Sequence, residues 1–146
     1  MFESTSFHTI DPKGRIIIPA RFRDYIKASD EYGVVVSNRN KCLYAYTVPE
    51  WKALKKKILG AKSVTMEHLK RFFVGNACSL TCDRQDRILI PPNLREYAGL
   101  DKEIVMVGIE ERFEIWDKER WMQVNQASEE YLETPDAQAE CAALGI

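Results

Sequence analysis

Apolar residues along this chain fall into short blocks separated by polar, turn-forming residues, and most blocks have the length of strands. Phe7-His8-Thr9-Ile10 reads as a strand, and Asp11-Pro12-Lys13-Gly14 as a type I turn with Asp first, Pro second and Gly fourth. Arg15–Ile18 follows as a strand whose three consecutive isoleucines imply burial on both faces. Pro19 suits the first turn of a helix carrying Arg21, Phe22, Arg23, Tyr25 and Ile26. Val34–Val36 and Cys42–Tyr46 are predicted strands joined by the polar turn Ser37-Asn38-Arg39-Asn40.

The period then changes. Thr47-Val48-Pro49-Glu50 is a helix-start signature, with a capping threonine, an early proline and an acid three residues on. Trp51, Leu54 and Ile58 form one apolar stripe, lysines 52, 55, 56 and 57 decorate the rest, and Gly60 ends the segment. A second helix is predicted from Ser63 or Thr65, with Met66, Leu69, Phe72 and Phe73 as its apolar face and a stop at Gly75. Strands follow at Ser79–Cys82, Arg87–Ile90, Ile104–Val107 and Phe113–Trp116, with a helix over Pro92–Ala98 closed by Gly99. Asp117 can cap a last helix containing Trp121 and Val124; beyond Leu132 the chain is acidic, weakly periodic and expected to be mobile.

These elements repeat. Asp11, Arg15, Ile16, Ile18, Pro19, Arg23 and Tyr25 recur as Asp83, Arg87, Ile88, Ile90, Pro91, Arg95 and Tyr97 at an offset of 72. Val34–Val36, Leu43–Tyr46 and Trp51 recur at an offset of 70 as Ile104–Met106, Phe113–Trp116 and Trp121. An internal duplication fixes the architecture. Each copy spans roughly 45 residues, near the lower limit for a self-sufficient core, so the two should share one core as a covalent pseudo-dimer. The predicted divisions are a first repeat over 1–52, a helical connector over 53–75, a second repeat over 76–122, and a C-terminal helix with an acidic tail over 123–146.

Composition narrows the function classes. The 146 residues are 45% hydrophobic and 29% charged, ordinary values for a globular protein. No apolar run approaches the roughly 20 residues of a membrane span. No basic-then-apolar leader opens the chain, so a cytoplasmic location and reduced cysteines are expected. The net charge of −1 hides an asymmetry: all 21 Lys and Arg lie in residues 1–120, while 121–146 hold five acids and no base. A basic body with an acidic tail is compatible with a polyanion partner.

The chemistry-bearing residues concentrate in the two Asp-x-x-x-Arg turns. An aspartate opening a turn accepts bonds from turn N–H groups and pairs with the arginine that starts the next strand. Such a turn is either a structural staple or a holder of guanidinium groups at the rim of a sheet. Lys13, Arg15, Arg21, Arg23, Arg84, Arg87 and Arg95 all lie in or just after these motifs, and the planar fork of Arg suits phosphate oxygens and guanine edges. Asp11, Gly14 and Asp83 are the motif residues that would shape the turns. Cys78-x-x-x-Cys82 lacks the partners of a tetrahedral metal set, His8 and His68 lie in different segments, and no phosphate-binding glycine loop is present. No metal, cofactor, small-molecule substrate or catalytic activity is therefore expected.

The chain resembles the MraZ family, bacterial transcription regulators of the SpoVT/AbrB-like superfamily, over residues 1–132. The resemblance rests on Met1-Phe2, Asp11-Pro-Lys-Gly-Arg15 with Ile-x-Ile-Pro19, Asp83 to Pro91, and Val107-Gly108 leading to Phe113-Glu114-Ile115-Trp116-Asp117. It implies an α+β fold of two tandem swapped-hairpin β-barrel repeats with short helices. It also implies a ring-shaped homo-oligomer on the nucleoid and binding of direct repeats in double-stranded DNA, upstream of its own gene and the division and cell-wall cluster. The family's Asp-x-x-x-Arg residues fall on Asp11/Arg15 and Asp83/Arg87. Residues 3–4 are Glu-Ser where the family commonly has a basic residue and Gly, and position 86 is Asp where it usually has Gly; the added charge is expected to weaken phosphate contact at the second turn. The alternative is an interaction or antitoxin-like assembly protein whose acidic C-terminal segment grips a partner, with DNA binding secondary.

Overall fold

The structure, a computed structural model, describes residues 1–29 and 31–146. Strand β1 (Thr5–Thr9) leads through the Asp11–Gly14 turn to β2 (Arg15–Ile17) and helix α1 (Ala20–Lys27). β3 (Gly33–Arg39) and β4 (Cys42–Thr47) form a hairpin, after which α2 (Val48–Gly60) and α3 (Val64–Leu69, prolonged by a π-turn over Lys70–Val74) cross to the second half. That half repeats the order: β5 (Cys78–Thr81), β6 (Arg87–Leu89), α4 (Pro92–Ala98), β7 (Glu103–Ile109), β8 (Arg112–Asp117) and α5 (Lys118–Leu132), followed by α6 (Pro135–Ala143). Thr47, Ser63 and Asp117 cap α2, α3 and α5 by accepting from the N–H groups of Glu50, Met66 and Arg120. Gly99 closes α4 in the left-handed conformation at φ +64.

The strands form a six-stranded antiparallel sheet, β1-β7-β8-β4-β3-β5, and a separate two-stranded ribbon, β2-β6. The first strand of each half pairs with the other half: Phe7 faces Val105, and Ser79 faces Val35. At the centre, Tyr44 faces Glu114 and Ile16 faces Ile88. With offsets of 70 and 72 between the copies, each of these last two pairs is a residue opposite its own counterpart. A pseudo-twofold axis therefore runs through the ribbon and the middle of the sheet.

The main core lies between them. Ile16, Ile18, Ile88 and Ile90 of the ribbon strands and their ends pack against Val34, Val36, Leu43, Ala45, Ile104, Met106, Phe113 and Ile115 of the sheet, with Phe22 and Leu94 from α1 and α4. The alternate sheet residues face the opposite way: Val35 and Tyr46 meet Trp51, Ile58 and Phe73, and Val105, Val107 and Trp116 meet Trp121. A sheet covered on both faces accounts for the unbroken apolar runs in its central strands.

Five sequence expectations change. Ile17 is half exposed, because a two-stranded ribbon lying on a sheet has only one covered face. Pro19 is the residue before α1, not its first turn. Ser37, Asn38 and Arg39 belong to β3, and the reversal is a two-residue turn at Asn40 and Lys41, both at positive φ (51 and 66). Ser37 is buried because the π-turn covers it, and its hydroxyl donates to the Phe73 carbonyl. Phe72 turns outward, edge-on to Tyr97. Residues beyond Leu132 form α6, started by Pro135, with Ala137 buried. Ser4 and Asp86, where the resemblance led to an expectation of glycine, both hold positive φ (74 and 60). Among the described residues no helix is long and apolar enough to cross a membrane.

Candidate nucleic-acid interface

Each Asp-x-x-x-Arg turn is closed by its own aspartate. One oxygen of Asp11 accepts from the N–H groups of Lys13 (2.9 Å) and Arg15 (2.8 Å), and the other meets Arg15 Nε at 2.6 Å. Asp83 does the same with Gln85 (2.8 Å), Arg87 (2.9 Å) and Arg87 Nε (2.9 Å). Bonding only the ionised form, these donors lower both carboxyls; the Arg15 N–H contributes most at Asp11, which is held at about 2. The Asp11 contribution to stability is complete above its ordinary 3.8 and is lost as pH falls through about 2. A carboxyl-resolved NMR titration is expected to find Asp11 still ionised at pH 3, with Asp11→Asn removing that titration; an ordinary midpoint would disprove the closed turn.

The turns sit at opposite ends of the ribbon. Gly14 O accepts from Ile90 N at 2.9 Å, and Asp86 O from Ile18 N at 2.8 Å, so each turn's fourth residue is tied to the far end of the other strand. Alternation along β2 and β6 sends Ile16 and Ile88 inward and leaves Arg15, Ile17, Arg87 and Leu89 on the outer face, with Arg15 beside Leu89 and Ile17 beside Arg87. Ile17 and Leu89 are 50% and 54% exposed. Lys13 and Arg84 project at the two turn tips, both exposed. The outer ribbon thus presents two oriented guanidinium groups, two apolar side chains and a base at each end. A two-stranded ribbon of this kind fits the width of a major groove, where Arg reads guanine and apolar groups meet thymine methyls.

Not every predicted basic residue joins this face. Arg21 is spent on the N-terminal segment: Nε and Nη2 donate to the carbonyls of Glu3 and Ser4, each at 3.2 Å, and Nη1 to Ser6 Oγ at 2.7 Å. Arg23 is also internal in role, with Nε on the Ile18 carbonyl (2.9 Å) and Nη1 3.2 Å from Asp86 Oδ2. Asp86 itself turns inward and accepts from the Tyr32 hydroxyl, which helps push Tyr32 far up after burial. Arg95, the counterpart of Arg23, lies against Gly14: a Cβ there would stand 2.7 Å from Arg95 Nε. Each turn therefore packs against an arginine from the other copy's helix, bonded at the second turn and in contact only at the first.

The exposed Ile17 and Leu89 and the packing of Arg95 against the first turn escaped sequence reasoning. Strict alternation with Ile16 and Ile88 was the available signal for the first two, and the match of Arg23 to Arg95 for the third. Among the described residues no cluster of His, Cys, Asp and Glu could hold a metal ion, and the four cysteines are free thiols.

Comparison with known proteins places this architecture. The family described as "MraZ protein, putative antitoxin-like" matches twice, over residues 1–72 and 73–141. The Transcriptional regulator MraZ of Desulforapulum autotrophicum is 58% identical over the full length of both chains. That of Desulfosudis oleivorans is 43% identical, again over all of both, and that of Clostridium beijerinckii 41% identical over 88% of this chain and 89% of its own. Matches of this identity across essentially the whole length show that the chain belongs to the MraZ family.

Proposed function

We propose that this protein is a DNA-binding transcriptional regulator that reads duplex DNA with the outer face of the β2-β6 ribbon and its two turns. The observation that carries the reading is that face: Arg15 and Arg87, each oriented by its own aspartate, flank Ile17 and Leu89 around a pseudo-twofold axis, with Lys13 and Arg84 at the tips. The names of the relatives agree with it. Arg21 and Arg23 act in this scheme as braces.

The finer reading follows the same line. The halves are tandem SpoVT/AbrB-like swapped-hairpin repeats (1–52 and 76–122), joined by the connector 53–75 and followed by the segment 123–146; the crossed pairing of β1 and β5 supports it. Several subunits, as a ring, engage direct repeats upstream of the protein's own gene and the division and cell-wall cluster, in the cytoplasm at the nucleoid. Catalysis has no part in it.

Fluorescence anisotropy on DNA from upstream of the gene, against shuffled DNA at two salt concentrations, tests the proposal. Salt-sensitive, sequence-selective binding is expected, falling tenfold or more in Arg15→Ala, in line with about 1–3 kcal/mol for one bidentate base contact. Retention of binding in that variant would reduce the Asp11–Arg15 turn to a staple. The second reading, an antitoxin-like interaction protein, is favoured by the acidic, partly apolar surface of α5 and α6, where Tyr131 and Leu132 are exposed beside five acids. Truncation before Glu129 separates the two: a regulator keeps its DNA affinity, whereas an interaction module loses its partner.

A further inference from the structure

The two turns are alike in backbone but differ in charge, since Asp11–Gly14 holds one acid and one base whereas Asp83–Asp86 holds two acids and one base. Beside the first lies a cleft of about 510 Å³ with Lys13 and Arg95 as its cations, Ser79 and Thr81 as hydroxyl donors, and Leu80 and Leu89 among its apolar walls. No carboxylate lines it. Among the described residues Arg95 makes no ion pair, and its Nε is buried without a hydrogen-bond partner. That donor is packed against Gly14, and the Arg95 charge has no carboxylate partner, so an anion in the cleft would supply the counter-charge that it lacks.

At the second turn the corresponding charged groups are arranged differently. Gln85 stands where the first turn has Lys13, and Asp86 where it has Gly14. Arg23, the counterpart of Arg95, has its Nε on the Ile18 carbonyl and its Nη1 on the Asp86 carboxylate, which the Tyr32 hydroxyl also holds. The second turn has Arg84 in place of Pro12, exposed at the tip as Lys13 is at the first, so the two turns differ chiefly in Asp86 and its pairing with Arg23. One arginine of the symmetric pair is thus satisfied by an internal anion, while the other faces an open cleft.

We propose that the cleft beside the first turn seats a phosphodiester of the DNA backbone on Lys13 and Arg95, and that the Asp86 carboxylate occupies the equivalent place at the second turn and keeps phosphate from it. Each subunit then grips the backbone from one side only, although its ribbon is nearly twofold symmetric. This rests on the DNA-binding reading above and names which strand contact accompanies which turn. It also assigns Asp86 a purpose: at a backbone position that glycine would occupy without strain, an aspartate stands that pairs with Arg23, the counterpart of the phosphate-binding Arg95.

The salt dependence of binding tests this, because each phosphate contact contributes about 0.9 to the slope of log K against log salt. Arg95→Gln is expected to weaken binding and flatten the slope by about one unit per engaged subunit, and Arg95→Lys, which restores the charge, to recover the slope. Asp86→Gly is expected to act the other way, steepening the slope by about one unit per engaged subunit and tightening binding. Asp86→Asn provides the same gain of positive potential should the glycine variant fold poorly. Titrations use the wild-type duplex throughout, with circular dichroism to verify each fold. An unchanged slope in both Arg95→Gln and Asp86→Gly, while Arg15→Ala still abolishes selective binding, overturns this assignment and leaves the DNA-binding reading intact. Absence of selective binding by the wild type overturns that reading itself.

Discussion

Replacing Phe2 with Ala is expected to cost about 3–5 kcal/mol of folding stability, the range for removing a fully buried aromatic side chain. The second residue of a chain rarely matters so much, and the reason here is geometric. Phe2 is completely buried and sits edge-on to Phe22 (5.0 Å), Tyr25 (4.7 Å) and Phe113 (5.1 Å), so it ties α1 and β8 at the centre of the shared core. Its backbone exchanges two bonds with Glu110, at 2.8 and 2.7 Å, and Ser4 O accepts from Gly108 N at 2.8 Å. The strand passes so close to β7 that a Cβ on Gly108 would stand 2.3 Å from Glu3 N, which explains a glycine at that position. Arg21 then clamps the Glu3 and Ser4 carbonyls from α1. Chemical denaturation measures the loss, and Phe2→Leu is expected to recover most of it because apolar volume is largely kept. A loss under about 1 kcal/mol would mean that the N-terminal segment unfolds separately from the core.

Much of this fold was legible because local and global signals agree. The helix starts at Thr47, Ser63 and Asp117 are each marked by a side chain that can accept from the first turn, and all three caps form. The duplication set the pseudo-symmetry, since residues at one offset had to meet across an axis. What misled was environment that no local pattern encodes. Ser37-Asn38 resembles a turn, yet Asn40 and Lys41 take the left-handed conformations, and the π-turn after α3 supplies a carbonyl for Ser37. Three isoleucines in a row look doubly buried, and the middle one faces out because the second layer of this core is a ribbon and not a sheet. α6 is too weakly amphipathic to announce itself; Pro135 at its start was the one signal.

The candidate site was legible in its motif and not in its division of labour. Asp11, Arg15, Asp83 and Arg87 form the closed turns that turn chemistry predicts. The basic residues on α1 had no such local partner, so nothing in the pattern distinguished a DNA contact from a brace. Arg21 reaches back 18 residues to Glu3, and Arg23 reaches across the pseudo-axis to Asp86, contacts fixed only by the tertiary arrangement. Asp86 illustrates the same point: its charge was visible, but its inward direction depends on Tyr32.

A DNA carrying several repeats at native spacing is expected to bind about 10²–10⁴-fold more tightly than one carrying a single repeat. One subunit has little to bind with. Its formal charge is −1, and four basic side chains, Lys13, Arg15, Arg84 and Arg87, belong to the ribbon and its tips, with Arg95 in the cleft beside them. A single contact patch of this size gives weak, salt-sensitive attachment, so affinity must come from joining patches. In a ring the second subunit meets its repeat at an effective concentration set by the assembly, and no new chemical contact is required. That gain demands phase, since two ribbons on one side of a ring can reach only grooves that face the same side of the duplex. Inserting about five base pairs between two repeats turns the second through half a helical turn and is expected to abolish the gain, and inserting about ten to restore much of it. Anisotropy on this spacing series reads the effect directly. Equal affinity for one repeat and for several, or indifference to the half-turn insertion, would show that each subunit binds alone and that assembly has no role in recognition.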